Sequence, residues 1–81
     1  MKITKSVIAM NDYGAIKTNL KEVLDNKNIS RYELSKAVNT RFEVITKWYN
    51  NEVEKMDLDV LARICYVLDC EPSDIIKYEQ R

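Results

Sequence analysis

Apolar positions along the chain repeat mainly at spacings of three and four residues, which is the period of an amphipathic helix. Short polar stretches rich in Asn, Asp and Glu separate the segments that show this spacing. The pattern predicts an all-α domain of five short helices with no strand inside it. The predicted helices cover about residues 16–26, 31–38, 41–50, 58–68 and 72–76.

The apolar stripes of these helices predict the core. The fourth helix has the widest stripe, so we expect it to be the most buried. Trp48 repeats with Ile45 and is expected in the core, and packing is also the expectation for Tyr32 and Tyr66. The predicted inward positions are Ile16, Leu20, Val23, Leu24, Lys27 (through its stem), Leu34, Ala37, Val38, Ile45, Trp48, Tyr49, Leu58, Leu61, Ala62, Ile64, Cys65, Leu68, Ile75 and Ile76.

Local signals fix several helix ends. Residues 30–33, Ser-Arg-Tyr-Glu, form a capping box in which the Ser30 hydroxyl and the Glu33 carboxylate each accept from the other residue's amide. Asp57 is the predicted N-cap of the fourth helix, and Pro72 suits the first turn of the fifth. Asn28 is an expected left-handed exit from the first helix.

Residues 1–14 are predicted to be an N-terminal arm, either a strand or disordered, and residues 15–81 the domain itself. A strand in the arm would need a partner edge, which a second copy of the chain could provide. The first residues lack the long apolar stretch of a secretion signal. No apolar run approaches the roughly 20 residues that span a bilayer. We therefore expect a cytoplasmic protein without membrane association.

Composition argues against catalysis. A chain of 81 residues builds one small core, with little room for a deep substrate cavity. It has no histidine, a single glycine and two cysteines, Cys65 and Cys70, which are expected to be reduced. The usual general base, a Gly-rich phosphate loop and a four-ligand zinc site are thereby excluded. We expect no enzyme activity, metal, cofactor or small-molecule substrate.

The net charge of zero conceals a dipolar chain. Residues 1–50 carry nine Lys/Arg against five Asp/Glu, a charge of +4, and residues 51–81 carry four against eight, a charge of −4. The basic part is compatible with a nucleic-acid surface, but its field would be weak unless a dimer doubled it. Charge alone does not distinguish this surface from ordinary solvated faces.

The second and third predicted helices are joined by only two or three residues. Two helices joined so briefly cross steeply, as in a helix-turn-helix, and the third helix then leaves one face unburied. That face carries side chains suited to base edges and thymine methyl groups in a major groove. Its residues are Arg41, Phe42, Glu43, Thr46 and Lys47.

Residues 34–51, together with 57–65 and 68–76, resemble the Xre/Cro group of phage-repressor-like transcriptional regulators in order and spacing. The likeness covers about residues 16–78. It implies a five-helix lambda-repressor-like DNA-binding domain that binds double-stranded operator DNA as a homodimer. The third helix would enter the major groove, and the protein would be a sequence-specific transcriptional regulator, most simply a repressor.

The resemblance places Phe42, Glu43 and Lys47 at positions that meet base edges, and Arg31 and Asn50 where family members hold phosphates. With the exposed face above, we predict base contacts from Arg41, Phe42, Glu43, Thr46 and Lys47, and phosphate contacts from Arg31, Lys36 and Asn50.

The chain departs from the family pattern in four places, one of which is Phe42, where many relatives have a polar residue. Asn39 stands where glycine is frequent, and it tolerates the left-handed turn. Thr40 is a candidate cap that would shift the start of the third helix by one residue. Glu52 and Glu54 make the loop after that helix acidic where many members are basic, which is unfavourable beside phosphate.

Some alternatives stay open. Glu43 can accept from a cytosine amino group or pair with Lys47 four residues on. Phe42 can touch a thymine methyl, anchor a protein partner or fold back onto the domain. The acidic loop and neutral total charge also suit a protein-interaction module, antitoxin- or antirepressor-like, that keeps the fold with weak or no DNA binding.

Overall fold

A computed structural model describes residues 3–8 and 13–80. The five predicted helices are confirmed, and the prediction of no strand within the domain is wrong. Two short strands pair at the beginning and end of the domain. The elements in chain order are β1 Ala15–Thr18, α1 Leu20–Lys27, α2 Arg31–Ala37, α3 Phe42–Tyr49, α4 Leu58–Leu68, α5 Pro72–Ile75 and β2 Ile76–Glu79.

The predicted start of the first helix at Ile16 is wrong, because residues 15–18 form β1. This strand pairs antiparallel with β2, so that Ile16 lies opposite Tyr78, and Ile16 is 57% exposed rather than in the core. Thr18 is held in place by its side chain, since its hydroxyl donates to the Trp48 carbonyl at 2.6 Å. The helical spacing of Ile16 and Leu20 is therefore coincidental.

The core lies between the five helices. Most residues that were predicted to face the core are buried or half-buried in the structure. Several others that were predicted to face the core are exposed. The fully buried large side chains are Leu20, Leu24, Leu34, Ile45, Ile64 and Ile75, joined by Val38, Trp48, Val60, Leu61 and Leu68.

The exceptions follow from how α2 and α4 are rotated. α4 turns Val60, Leu61 and Ile64 inward, which leaves Leu58 73% exposed. Tyr66 is 88% exposed, and Ala37, Ala62 and Tyr32 are exposed as well. On α2 Ser35 is buried beside Leu34, and its hydroxyl donates to the Tyr32 carbonyl at 2.7 Å, so its burial leaves no unpaired polar group.

Helix ends follow the local signals. The capping box is confirmed: the Ser30 hydroxyl accepts from the Glu33 amide and the Glu33 carboxylate from the Ser30 amide, both at 3.0 Å. Asp57 Oδ1 accepts from the amides of Asp59 and Val60. Asn28 ends α1 in the left-handed region with φ 57°. No helix in the described ranges is both long enough and apolar enough to cross a membrane.

Residues 3–8 of the predicted arm lie in no helix or strand, and residues 1, 2 and 9–12 lie outside the described ranges. The division at residue 14 therefore stays a prediction. Gly14, which leads into β1, has φ +83°. A Cβ there would clash with the Glu79 carbonyl oxygen, so glycine is required where the residue before β1 approaches β2.

Candidate nucleic-acid interface

The corner between α2 and α3 is a four-residue turn. Asn39 adopts φ 54°, which confirms the predicted left-handed conformation at this turn. The Thr40 amide donates to the Ser35 carbonyl at 3.1 Å and closes the end of α2. The suggested Thr40 cap is not observed, because Arg41 occupies the N-cap position and makes no side-chain cap bond.

Arg63 of α4 stabilises the turn between α2 and α3, a role that the sequence analysis did not predict. Its Nη1 donates to the carbonyl oxygens of Val38 and Asn39 at 3.2 and 3.1 Å. Its Nη2 lies 2.8 Å from Asp59 Oδ2. The i, i+4 spacing of Asp59 and Arg63 was visible in the sequence, but the turn carbonyls are about 24 residues away and gave no signal.

α3 exposes the polar flank that its spacing predicts. Ile45 and Trp48 are buried, whereas Arg41, Glu43 and Lys47 are exposed and Phe42 is 39% exposed. The helix therefore packs by one side and leaves the other accessible to a partner.

Thr46 departs from this arrangement. The residue is half-buried, and its Oγ1 is buried with no hydrogen-bond partner among the described residues. The hydroxyl is thus turned away from the exposed flank. A base contact through this oxygen requires a different side-chain rotamer.

Arg31, at the first turn of α2, is stacked between two aromatic rings of α3. Its guanidinium carbon lies 5.3 Å from the ring centre of Phe42 and 5.0 Å from that of Tyr49. No carboxylate within 4 Å pairs with it among the described residues. Stacking fixes the plane of the guanidinium while its N–H groups remain available to an acceptor.

The Tyr49 side of this stack is supported from α1. The Tyr49 hydroxyl donates to Asp25 Oδ1 at 3.0 Å, and Lys21 Nζ donates to Asp25 Oδ2 at the same distance. These bonds lower the pKa of the Asp25 carboxyl, with the Lys21 bond as the larger cause, and they raise the pKa of Lys21. The position of the Arg31 guanidinium, which belongs to α2, therefore depends on direct contacts with α3 and, through Tyr49, on α1.

The lowered pKa of Asp25 makes one contribution to stability depend on pH. A carboxyl whose folded pKa lies below its ordinary value of 3.8 stabilises the fold above that value and loses the effect as pH falls through the folded pKa. We expect Asp25→Asn to be less stable than wild type at neutral pH, and the difference to shrink below about pH 4. Urea unfolding at several pH values measures this, and a difference that is independent of pH would contradict it.

The other predicted phosphate residues lie on either side of the exposed flank. Lys36 Nζ lies 5.2 Å from the centre of the Tyr32 ring. Lys36 and Phe42 line one open groove of about 270 Å³ between α2 and the start of α3. Asn50 is exposed at the other end of α3, where its backbone ends the helix. The structure thus places Lys36 near the start of α3 and Asn50 at its end, with the Arg31 guanidinium beside Phe42 and Tyr49 between them.

Glu43 and Lys47 do not pair with each other. The ion pairs among the described residues are Lys17–Glu79, Lys21–Asp25 and Arg63–Asp59. Both charged groups on the exposed flank of α3 are therefore available to an external partner. Glu43 was predicted either to accept from a cytosine amino group or to pair with Lys47, and the structure does not form the pair with Lys47.

An acidic groove adjoins this flank. It has a volume of about 460 Å³, and three carboxylates outnumber two ammonium groups in its lining. The charged lining residues are Lys47, Glu52, Glu54, Lys55 and Asp57. Carboxylates so close to Lys47 reduce the positive potential at this end of the helix.

The cysteines do not offer a reactive centre. Cys65 and Cys70 are both free and half-buried, and burial raises the pKa of the Cys70 thiol to about 11. In the described part of the chain, no three Cys, Asp or Glu side chains are arranged so that they could hold a metal ion. Since the ordinary value is 9.0, the Cys70 thiolate fraction near neutral pH is about 100-fold lower than in an unfolded chain.

We therefore expect iodoacetamide to alkylate Cys70 far more slowly in the folded protein than in urea. Mass spectrometry of timed samples at pH 8 measures both rates. Equal rates in the two states would contradict the burial of this thiol.

Comparisons with known proteins bear on this site. A family model described as a Cro/C1-type HTH DNA-binding domain matches residues 19–81. The HTH-type transcriptional regulator YozG of Bacillus subtilis (strain 168), described as uncharacterized, is 31% identical over 64 residues, which are 79% of this chain and 76% of YozG.

Two solved structures share the fold. The transcriptional regulator VanUg is 24% identical with a TM-score of 0.70, and the match covers 100% of this chain and 99% of VanUg. A protein from Bacteroides fragilis that carries a DNA-binding assignment is 22% identical with a TM-score of 0.69. That match covers 78% of this chain and 100% of the other.

Proposed function

We propose that this chain, which belongs to the Cro/C1-type helix-turn-helix DNA-binding family, is a sequence-specific transcriptional regulator, most simply a repressor. It reads double-stranded operator DNA as a homodimer, with α3 in the major groove. The observation that carries the proposal is the exposed polar flank of α3 above a buried Ile45 and Trp48.

The exposed flank of α3 contacts the base edges. The Lys47 ammonium suits guanine O6 and N7, the Glu43 carboxylate accepts from a cytosine amino group, and the Phe42 ring packs on a thymine methyl. Arg41, whose side chain is not used for capping, reaches base edges from the start of the helix. Thr46 contributes through its methyl group, or through its hydroxyl after a change of rotamer.

Phosphate contacts fix how α3 enters the groove. Of the three phosphate-binding residues, Arg31 has the most preorganised side chain, because its guanidinium is already held by the rings of Phe42 and Tyr49. Lys36 and Asn50 bind phosphates at opposite ends of the flank. Since Arg31 stacks directly on Phe42, one phosphate contact and one base contact are positioned together.

A genomic DNA selection with the purified full chain tests the proposal. We expect enrichment of one sequence motif with two related half-sites, since a two-fold dimer binds a two-fold site. The carboxylates beside Lys47 predict moderate affinity. The Lys and Arg contacts to phosphates predict an affinity that weakens with salt. A selection that returns random fragments would contradict sequence-specific binding.

The acidic groove favours a second candidate function. A protein-interaction module, antitoxin- or antirepressor-like, would use Phe42 and the groove lined by Glu52 and Glu54 to hold a basic partner segment. The same selection discriminates the two functions. Under this second function no operator is retained, while Glu52→Gln and Glu54→Gln weaken binding of a lysine-rich peptide.

A further inference from the structure

Two backbone carbonyls at the corner between α2 and α3 accept hydrogen bonds from α4 rather than from the corner itself. They belong to Val38 and Asn39, and no backbone N–H in residues 3–8 and 13–80 donates to either. Arg63 Nη1 donates to both, at 3.2 and 3.1 Å. Because one nitrogen reaches both oxygens, the two carbonyls face α4. The guanidinium therefore supplies the partners that the end of α2 leaves unfilled.

The Arg63 guanidinium is itself held in a defined orientation. Its Nη2 lies 2.8 Å from Asp59 Oδ2, one turn earlier on α4. The two side chains are 44% and 67% exposed, so the ion pair adds little to stability. Its effect is geometric, because a planar guanidinium with one nitrogen on a carboxylate directs the other nitrogen at the corner.

The helix that carries Arg63 is firmly seated. Val60, Leu61 and Ile64 of α4 are buried in the core, where close packing restricts movement. The bonds from Arg63 thus relate the corner to the core. Since α3 begins three residues after Asn39, they also fix where the third helix starts.

We propose that Arg63 is a positioning residue for DNA reading, which acts through the corner and sets the direction of α3 relative to α2. The inference rests on the proposed function, in which Arg31 on α2 holds a phosphate and Lys47 on α3 reads a base. A site of this kind works only when its groups are held within about 0.5 Å of the productive geometry.

The positioning role affects specific binding more than non-specific binding. Reading an operator needs the phosphate and base contacts at the same time, whereas random DNA is held by phosphate contacts alone. A loosened corner lets α2 keep its phosphates while α3 loses its alignment with the bases. The ratio of operator affinity to random-DNA affinity therefore measures the role of Arg63.

Arg63→Met and Arg63→Lys test the inference in the full chain. Methionine keeps an aliphatic side chain and removes every donor, whereas lysine keeps the charge but not the planar fork that reaches both carbonyls and Asp59. Val60→Ala is the control for lost stability, because it opens a cavity beneath the same helix and leaves the corner bonds in place. Circular dichroism checks that each variant is folded, and urea unfolding compares their stabilities.

Fluorescence anisotropy with the selected operator and a random duplex, over a series of salt concentrations, gives the result. We expect Arg63→Met to lower the ratio of the two affinities about tenfold, as for loss of charged hydrogen bonds. Arg63→Lys should lower it less, and Val60→Ala should leave it unchanged. The dependence of log K on log salt should stay that of wild type in Arg63→Met, because no phosphate contact is lost.

A double-mutant cycle with Lys47→Ala shows whether Arg63 acts through α3. In the Lys47→Ala background, Arg63→Met should change the ratio of affinities clearly less than in wild type. The reason is that part of the base reading that the corner aligns is already absent there.

Four results would each overturn the inference: an unchanged ratio in Arg63→Met, an equal fall in Val60→Ala, full additivity with Lys47→Ala, or a salt slope reduced by about one, which marks a direct phosphate contact. These outcomes are separable from failure of the proposed function. A wild type that selects no DNA motif removes that function and the positioning role with it. A wild type that selects a motif, together with an Arg63→Met variant that reads it equally well, removes the positioning role alone.

Discussion

Replacing Trp48 with alanine is expected to lower the free energy of unfolding by about 3–5 kcal/mol, because the indole is buried between α3 and the core. A domain of this size has a total stability of only about 5–10 kcal/mol. The hydrogen bond from the Thr18 hydroxyl to the backbone carbonyl of residue 48 does not involve the indole, so the loss comes from the core. Urea unfolding followed by circular dichroism measures the change.

Tyr66→Ala is the matched control for Trp48→Ala, since this aromatic residue is 88% exposed on α4. We expect it to change stability by no more than about 0.5 kcal/mol. If both substitutions cost the same, the assignment of Trp48 to the core would be wrong.

Lys47→Ala is expected to reduce discrimination between the selected operator and a mutated one by about 1–3 kcal/mol, or roughly 5- to 150-fold. The reason is that Lys47 is exposed and pairs with no carboxylate among the described residues, so that its ammonium is available for the proposed contact with a base edge. Fluorescence anisotropy with matched and mismatched duplexes measures the ratio of affinities.

Arg31→Ala is the contrasting variant. It should weaken binding to all duplexes alike and reduce the dependence of log K on log salt by about one per copy, because one phosphate contact is lost. Equal, sequence-independent losses for both variants would remove the base-reading role of Lys47.

Local features of the sequence predicted local structure well. The Ser30–Glu33 box, the Asp57 cap and the left-handed Asn39 were all confirmed, since each depends on residues within a few positions of one another. The exposed flank of α3 followed from helical spacing in the same way. The family match and the solved relatives confirm the predicted lambda-repressor-like helical fold.

Features that depend on distant contacts were not predictable. Ile16 fits a helical stripe, but its strand partner Tyr78 lies at the other end of the chain. Leu58 matches a core position by spacing, yet the rotation of α4 that exposes it is set by packing. The hydrogen bonds from Arg63 to the turn carbonyls join residues that are distant in sequence. The contacts of Arg31 with two aromatic rings likewise depend on how α2 packs against α3, so the sequence did not predict either.

The central claim is that the exposed flank of α3 enters a major groove. Site-directed DNA cleavage tests it directly: an iron chelate is attached at Glu43→Cys in a background with Cys65→Ala and Cys70→Ala. Tyr66→Cys, at an exposed position of α4, carries the same chelate as the control. We predict strong cleavage of the selected operator from position 43, centred on one major groove of each half-site, and little from position 66. Equal cleavage from both positions, or none from position 43 while the operator is bound, would contradict the claim.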